Sequence, residues 1–151
     1  MLTTELTSRC ALKVMEAVPL VMQFMRAEMR HQGATDLSVP QFRALAFLNR
    51  NPGASLSDLA EHLGVTKATA SATVERLVRR GLVNRADDPQ ERRRLVLTLT
   101  PSGVIHLQQA REATHSTVTE VLAALPEAKL LQITQALAFL EEAFNEATAS
   151  E

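Results

Sequence analysis

A chain of 151 residues, 46% hydrophobic and 22% charged, is one domain, or one domain with dimerising extensions, and it can bury a real core. Aromatic residues make up 3% and all are Phe, which argues against a single-strand nucleic-acid binder built on base stacking. No apolar run reaches the ~18 residues of a transmembrane helix, the N-terminus lacks a signal-peptide pattern, and one cysteine excludes an intrachain disulfide framework, so a cytoplasmic protein with no membrane partner is expected.

The first predicted element runs from about Glu5 to His31, where Leu12, Met15, Val18, Met22, Met25 and Met29 recur at spacings of three and four. Pro19 interrupts it and predicts a kink or a restart. "HQGATDLS" is a loop. Pro40 then sits at a predicted first helical position, and Phe42, Leu45 and Leu48 belong to a short second helix that "NRNPG" ends.

Ser55 to Leu63 reads as a compact third helix. Ser55 and Asp58 form a capping box with Asp in place of the usual Glu or Gln, and Leu56, Leu59, Ala60 and Leu63 make one apolar face. Gly64 is its C-cap, Val65 the expected buried turn residue, and Thr66 the cap of a fourth helix. That helix runs to about Arg80, with Ala70, Val74, Leu77 and Val78 inward and Gly81 ending it.

Two short β signals follow, Leu82 to Arg85 and Leu95 to Leu99, with a long polar hairpin tip between them. Thr100-Pro101 opens a long helix to about Ala124. Pro126 starts the last one, striped by Leu130, Ile133, Leu137, Leu140 and Phe144, and the tail "EATASE" is expected to fray. The fold class is thus mainly α with a small β-hairpin wing. Long apolar helices at both ends of a small module predict a subunit interface, because the module alone cannot cover that surface.

The net charge of −1 hides an asymmetry. Thr66 to Arg94 holds eight basic and four acidic residues, and the rest of the chain eight basic and thirteen acidic. A basic patch on an acidic body is the electrostatic footprint of a polyanion binder.

Ser55 to Arg80 fits a helix-turn-helix whose second helix has a polar outer face. On a helical wheel Ala68, Thr69, Ala72, Glu75, Arg76 and Arg79 face away from the apolar stripe, flanked by Lys67 and Ser71. Small side chains at Ala68 and Ala72 let the helix sit deep in a major groove. Thr69 and Ser71 can hydrogen-bond base edges or phosphates. Lys67 can reach a phosphate or a guanine, and the helix start at Thr66 favours phosphate. A solvated structural hairpin is the competing reading. A hairpin directly after a helix-turn-helix is a wing, however, and its tip lies near the neighbouring minor groove, whose negative potential accepts an inserted Arg.

The stretch "LSDLAEHLGVTKATASATVERLVRRGLVNRADDPQERRRLVLTLTPSG", Leu56 to Gly103, resembles the MarR family of winged helix-turn-helix regulators. Its most specific parts are "RRGLV", Arg79 to Val83, and the wing "DPQERR" followed by "LTLTPSG". Where the family wing usually reads Asp-Arg-Arg or Asp-x-Arg, this chain has Glu91, Arg92 and Arg93. The resemblance implies that Arg93 enters the minor groove, steadied by Glu91, with Arg92 and Arg94 as backbone contacts. Ala72 stands where many members carry Arg, which removes one possible contact. The resemblance further implies a homodimer with intertwined terminal helices, 1–35 and 101–151, around a DNA-binding lobe, 36–100. Such a dimer reads a palindrome with half-sites ~10 bp apart. Regulation is then usually repression, relieved by a small aromatic or phenolic ligand or an oxidant.

Met22, Met25, Met29, Phe42 and Phe47 are candidate walls of an effector pocket, since Met and Phe make adaptable apolar surfaces; plain core is the alternative. Cys10 near the start of the first helix is similar in place to the cysteine of peroxide-sensing members. Those use tyrosines to activate it, and this chain has none, so Cys10 reads as inert, with a redox-responsive regulator as the alternative. His31, His62, His106 and His115 make no tight ligand pair and read as solvated, so no metal and no cofactor is expected. No nucleophile–base pair or Gly-rich phosphate loop points to an enzyme. The remaining alternative is a protein-interaction module on a winged-helix scaffold, which the basic residues Lys67, Arg76 and Arg79 disfavour.

Overall fold

The computed structural model describes residues 1–32, 37–91 and 94–150. In chain order the elements are α1 (Leu2–Gln32), α2 (Val39–Arg50), β1 (Ala54–Ser55), α3 (Leu56–Leu63), α4 (Lys67–Arg79), β2 (Val83–Asp87), β3 (Leu95–Leu99), α5 (Pro101–Leu122) and α6 (Glu127–Ala149). The chain divides into two compact units, 1–114 and 115–151.

In the first unit α1 runs through Pro19 without the restart that the sequence suggested. Residues 15–23 are all exposed, so the carbonyl left without a donor by Pro19 is open to water rather than stranded in a core. The loop expected after α1 falls partly on residues 33–36, outside the described residues. α2 starts one residue before Pro40. Ser38 is its N-cap and forms a capping box with Gln41, each accepting the other's backbone amide. The Ser-x-x-Gln spacing carried that signal.

α3 starts as predicted. The Ser55 hydroxyl accepts from the Asp58 amide at 3.1 Å, and the Asp58 carboxylate accepts from the Ser55 amide at 3.1 Å. It ends at Gly64, whose φ of +69° is the left-handed C-cap conformation that favours glycine. The Val65 amide donates back to the Ala60 carbonyl, which fixes the turn. Its side chain is 39% exposed, not buried as expected, because the backbone hydrogen bond holds the turn and the isopropyl group borders an open cleft. Thr66 caps α4 by accepting from the Thr69 amide.

β1 was not legible, since two residues carry no period. It pairs with β3 through Ala54↔Leu97 and Ser55↔Val96, so the sheet is antiparallel in the order β1-β3-β2. β3 has the bounds read from its alternation. β2 begins one residue later than expected and runs two residues further, because Leu82 is spent on the turn after α4 (Leu82 amide to Leu77 carbonyl, 2.9 Å). Its ladder continues through Ala86↔Val96 and Asp87↔Leu95, since ladder hydrogen bonds belong to the backbone and do not require apolar side chains.

Leu45, Leu48, Leu59, Leu77, Leu82, Leu97 and Leu107 are fully buried; each contributes about 1.5–3 kcal/mol of transfer free energy. They clamp α2, α3 and α4 to the sheet and to the first turns of α5. Thr100 anchors the start of α5. Its amide donates to the Leu82 carbonyl at 3.0 Å, its hydroxyl donates to the Gly81 carbonyl at 2.5 Å and accepts from the Gly103 amide at 3.0 Å.

The second unit holds the end of α5 and α6. α6 continues to Ala149 rather than fraying across the tail. It buries no residue; Leu130, Ile133 and Leu140 are half-buried, and Leu137 and Phe144 are exposed. Among the described residues no helix is long and apolar enough to cross a membrane.

Candidate nucleic-acid interface

The outer face of α4 is placed as the helical wheel predicted. Thr66, Lys67, Ala68, Thr69, Ala72, Glu75, Arg76 and Arg79 are exposed and Ser71 is half-buried, while Ala70, Val74 and Leu77 are buried. Val78 is half-buried against the same core. Thr73 is also buried, its hydroxyl satisfied by the Thr69 carbonyl. The face is not uniformly free. Thr66 and Thr69 hydroxyls are hydrogen-bonded to each other at 3.1 Å. Arg79 pairs with Glu75 one turn earlier at 2.9 Å, which mutes the C-terminal end. Arg80 donates to Gln41 at the start of α2. Among the described residues neither Lys67 nor Arg76 is held in an ion pair. Bare positive charge therefore sits at the first and third turns of α4, on a surface kept low by Ala68 and Ala72.

The wing follows α4 through the turn at Gly81 and Leu82. Beyond the last ladder pair, the Asp88 amide donates to the Arg94 carbonyl (2.8 Å), the Arg94 amide to the Glu91 carbonyl (2.9 Å), and the Gln90 amide to the Asp88 carboxylate (2.9 Å). Arg92 and Arg93 lie outside the described residues. The guanidinium of Arg94, an expected backbone contact, lies 3.4 Å from the Asp58 carboxylate at the start of α3. The Ser55 amide and then its hydroxyl hold the Asp58 carboxyl below the usual carboxylate range; burial opposes them, and Arg94 adds the smallest lowering effect.

Two clefts flank the helix-turn-helix. One is bordered by Ser38, Pro40 and Gln41 on the α2 side and by Val65, Thr69 and Arg76 on the other. The second is lined by Phe47, Asn51, Pro52, Asp58, Glu61 and His62, among others. Neither is lined by Met22, Met25, Met29 or Phe42. Phe42 packs half-buried against the core, Met25 and Met29 are half-buried on α1, and Met22 is exposed. His62 is more than a solvated histidine. Its ring stacks on Phe47 with centroids 4.5 Å apart, and burial, aided by Arg43 and Arg50, pushes its pKa down. No periodic signal could have shown that pairing, because the two residues are fifteen apart on different helices. Among the described residues no cluster of three metal-ligating side chains occurs. Cys10 is exposed on α1.

A model of the MarR family matches residues 35–94, the span from the lead into α2 to the wing. Over that span the chain is similar to the MarR family. It is 27% identical over 112 residues to the HTH-type transcriptional regulator YfiV of Bacillus subtilis, covering 74% of this chain and 70% of that one. It is also 27% identical over 119 residues to the HTH-type transcriptional repressor MdtR of the same organism, covering 79% and 75%. The crystal structure of RV1404 from Mycobacterium tuberculosis superposes with a TM-score of 0.76 at 25% identity, covering 92% and 94%. Both Bacillus relatives are named as HTH-type transcription regulators. In the winged-helix fold α3 and α4 are the helix-turn-helix and β2–β3 is the wing.

Proposed function

We propose that this protein is a regulator of the MarR type, which acts as a homodimeric repressor on a palindromic operator and releases it on binding a small aromatic or phenolic effector. The observation that carries the reading is the exposed face of α4, where Lys67 and Arg76 are in no ion pair among the described residues, followed in the chain by a wing that carries Arg92 and Arg93. Thr66, Lys67, Ala68, Thr69, Ser71, Ala72 and Arg76 would meet the major groove, and Arg93 the minor groove. Uncovered apolar side chains on the terminal helices support a second copy as partner: Leu6, Leu12, Met15 and Leu20 on α1, and Leu131, Leu137, Phe139 and Phe144 on α6 are all more than half exposed. In this division residues 1–35 and 101–151 form the dimer and 36–100 the lobe. Repression follows the likeness to relatives such as MdtR.

A gel shift on the DNA upstream of the gene tests the core of this reading. Binding should fall steeply with salt, as expected when several phosphates are neutralised. Arg93→Ala should weaken it severalfold or more while leaving the dimer folded; an unchanged affinity would remove Arg93 from the interface. For the effector, Met22, Met25, Met29, Phe42 and Phe47 are the proposed apolar walls, and a thermal-shift screen of phenolic acids is the check. At least one compound should raise the melting temperature and weaken the gel shift, and a screen with no hit from any compound would count against ligand release.

A further inference from the structure

The Asp58 carboxylate is shared. One oxygen, Oδ2, accepts the Ser55 amide in the α3 capping box and also receives the Arg94 guanidinium at 3.4 Å. Arg94 is committed on its backbone too, donating to Glu91 and accepting from Asp88. Ser55 pairs with Val96 in the β1–β3 ladder, two residues beyond Arg94. A closed circuit results: Asp58 to Ser55 by a hydrogen bond, Ser55 to Val96 across the sheet, Val96 back along the chain to Arg94, and Arg94 to Asp58. In the chain Arg92 and Arg93 lie between Glu91 and Arg94, both of which this circuit and its backbone hydrogen bonds hold.

We propose that Asp58 is a positioning residue for DNA binding, which holds Arg94 against the start of α3 and so fixes the direction in which the tip arginines are presented. The inference rests on the reading in which those arginines enter a minor groove. An ion pair whose side chains are 45% and 51% exposed contributes little to stability, so its effect falls on orientation. A wing held in place before binding loses less freedom when it docks. An arginine paired with a carboxylate is also not available to a phosphate, so Arg94 is a strut and not a backbone contact.

The two roles of Arg94 predict opposite signs, which makes them separable. The full chain would first select duplexes from a random-sequence library. Affinity of wild type, Asp58→Asn, Arg94→Gln, Arg94→Lys and the Asp58→Asn/Arg94→Gln double variant would then be measured on the selected duplex, and on an unselected duplex of equal length, over a range of salt. Asp58→Asn and Arg94→Gln should each weaken the selected duplex by about two- to fivefold, the range expected from losing one exposed ion pair. The double variant should be no weaker than either single one. Arg94→Lys should stay near wild type, and binding to the unselected duplex should not change.

Tightening of both duplexes by Asp58→Asn, with Arg94→Gln lowering the salt slope by about 0.9, would show a phosphate contact that Asp58 restrains, and would overturn the proposal. Variants indistinguishable from wild type would overturn it as well, with the DNA-binding reading intact. A wild-type chain that selects no duplex would overturn that reading and this inference together. Asn retains a carbonyl oxygen for the Ser55 amide. Should Asp58→Asn nevertheless lose helical content, the contrast between Arg94→Gln and Arg94→Lys, neither of which touches the cap, decides the outcome.

Discussion

Gly103→Ala is expected to destabilise the helix-turn-helix lobe by about 2–3 kcal/mol, the upper part of the range of about 1–3 kcal/mol for forcing extra volume into a packed site. Gly103 sits in the first turn of α5, where alanine would ordinarily be the better helix former by about 1 kcal/mol, so intrinsic propensity predicts the opposite sign. The structure decides between them. A β-carbon at Gly103 would run into the backbone carbonyl of Leu82. That carbonyl cannot move aside easily, because it accepts the Thr100 amide and belongs to a residue 1% exposed at the centre of the core. Relief therefore requires α5 to shift away from the start of β2, which would also pull Thr100 from the Gly81 carbonyl. A thermal melt should show a fall of roughly 5–10 °C for a chain of this size. A melting temperature equal to or above that of wild type would mean that α5 can retreat at no cost and that the close approach is not a structural requirement.

Ala72→Glu is expected to reduce operator affinity by more than tenfold without changing stability. Ala72 is exposed on the face of α4 between Thr69 and Arg76, so folding has little use for its side chain, and surface substitutions of this kind usually stay within about 0.5 kcal/mol. In a groove the same substitution brings a carboxylate against phosphates and base edges, where like charges cost several kcal/mol. The longer side chain also holds the helix away from the groove floor. Paired melting and gel-shift measurements separate the two effects. Retained DNA affinity in a normally folded Ala72→Glu variant would show that this face is not the one that meets DNA, and would reopen the reading of the lobe as a protein-interaction module.

Much of the helix-turn-helix was legible because its signals are local. Ser55 with Asp58, Gly64 and Thr66 are caps, and a cap is determined by residues within one turn of it. The alternation of Leu95, Leu97 and Leu99 located β3 for the same reason. Ser38 with Gln41 was equally local and went unread, because Pro40 drew the start of α2 to itself. The outer face of α4 followed from helical period once Ala70, Val74 and Leu77 were recognised as the buried stripe.

The parts that escaped depend on contacts between distant segments. Nothing near Ala54 announces β1, which exists only because β3 offers it a partner. Gly103 carried a faint signal, a glycine in the first turn of a helix, but its reason lies in Leu82, twenty-one residues earlier. The stacking of His62 on Phe47 and the pairing of Arg94 with Asp58 have no local cause at all.

The amino-acid sequence by itself determined the order of the helices and of the β2–β3 hairpin, the caps that start and stop the helix-turn-helix, and the basic character of the segment from Thr66 to Arg94. Those follow from hydrogen bonds and periods that span a few residues. The pairing of Arg79 with Glu75, one turn apart on α4, is of the same local kind. Only the tertiary structure decided that Arg94 is taken by Asp58, whereas Lys67 and Arg76 are in no ion pair among the described residues. The reason is that a charge acts on DNA according to its nearest neighbours in space, and for Arg94 that neighbour is thirty-six residues away in the chain.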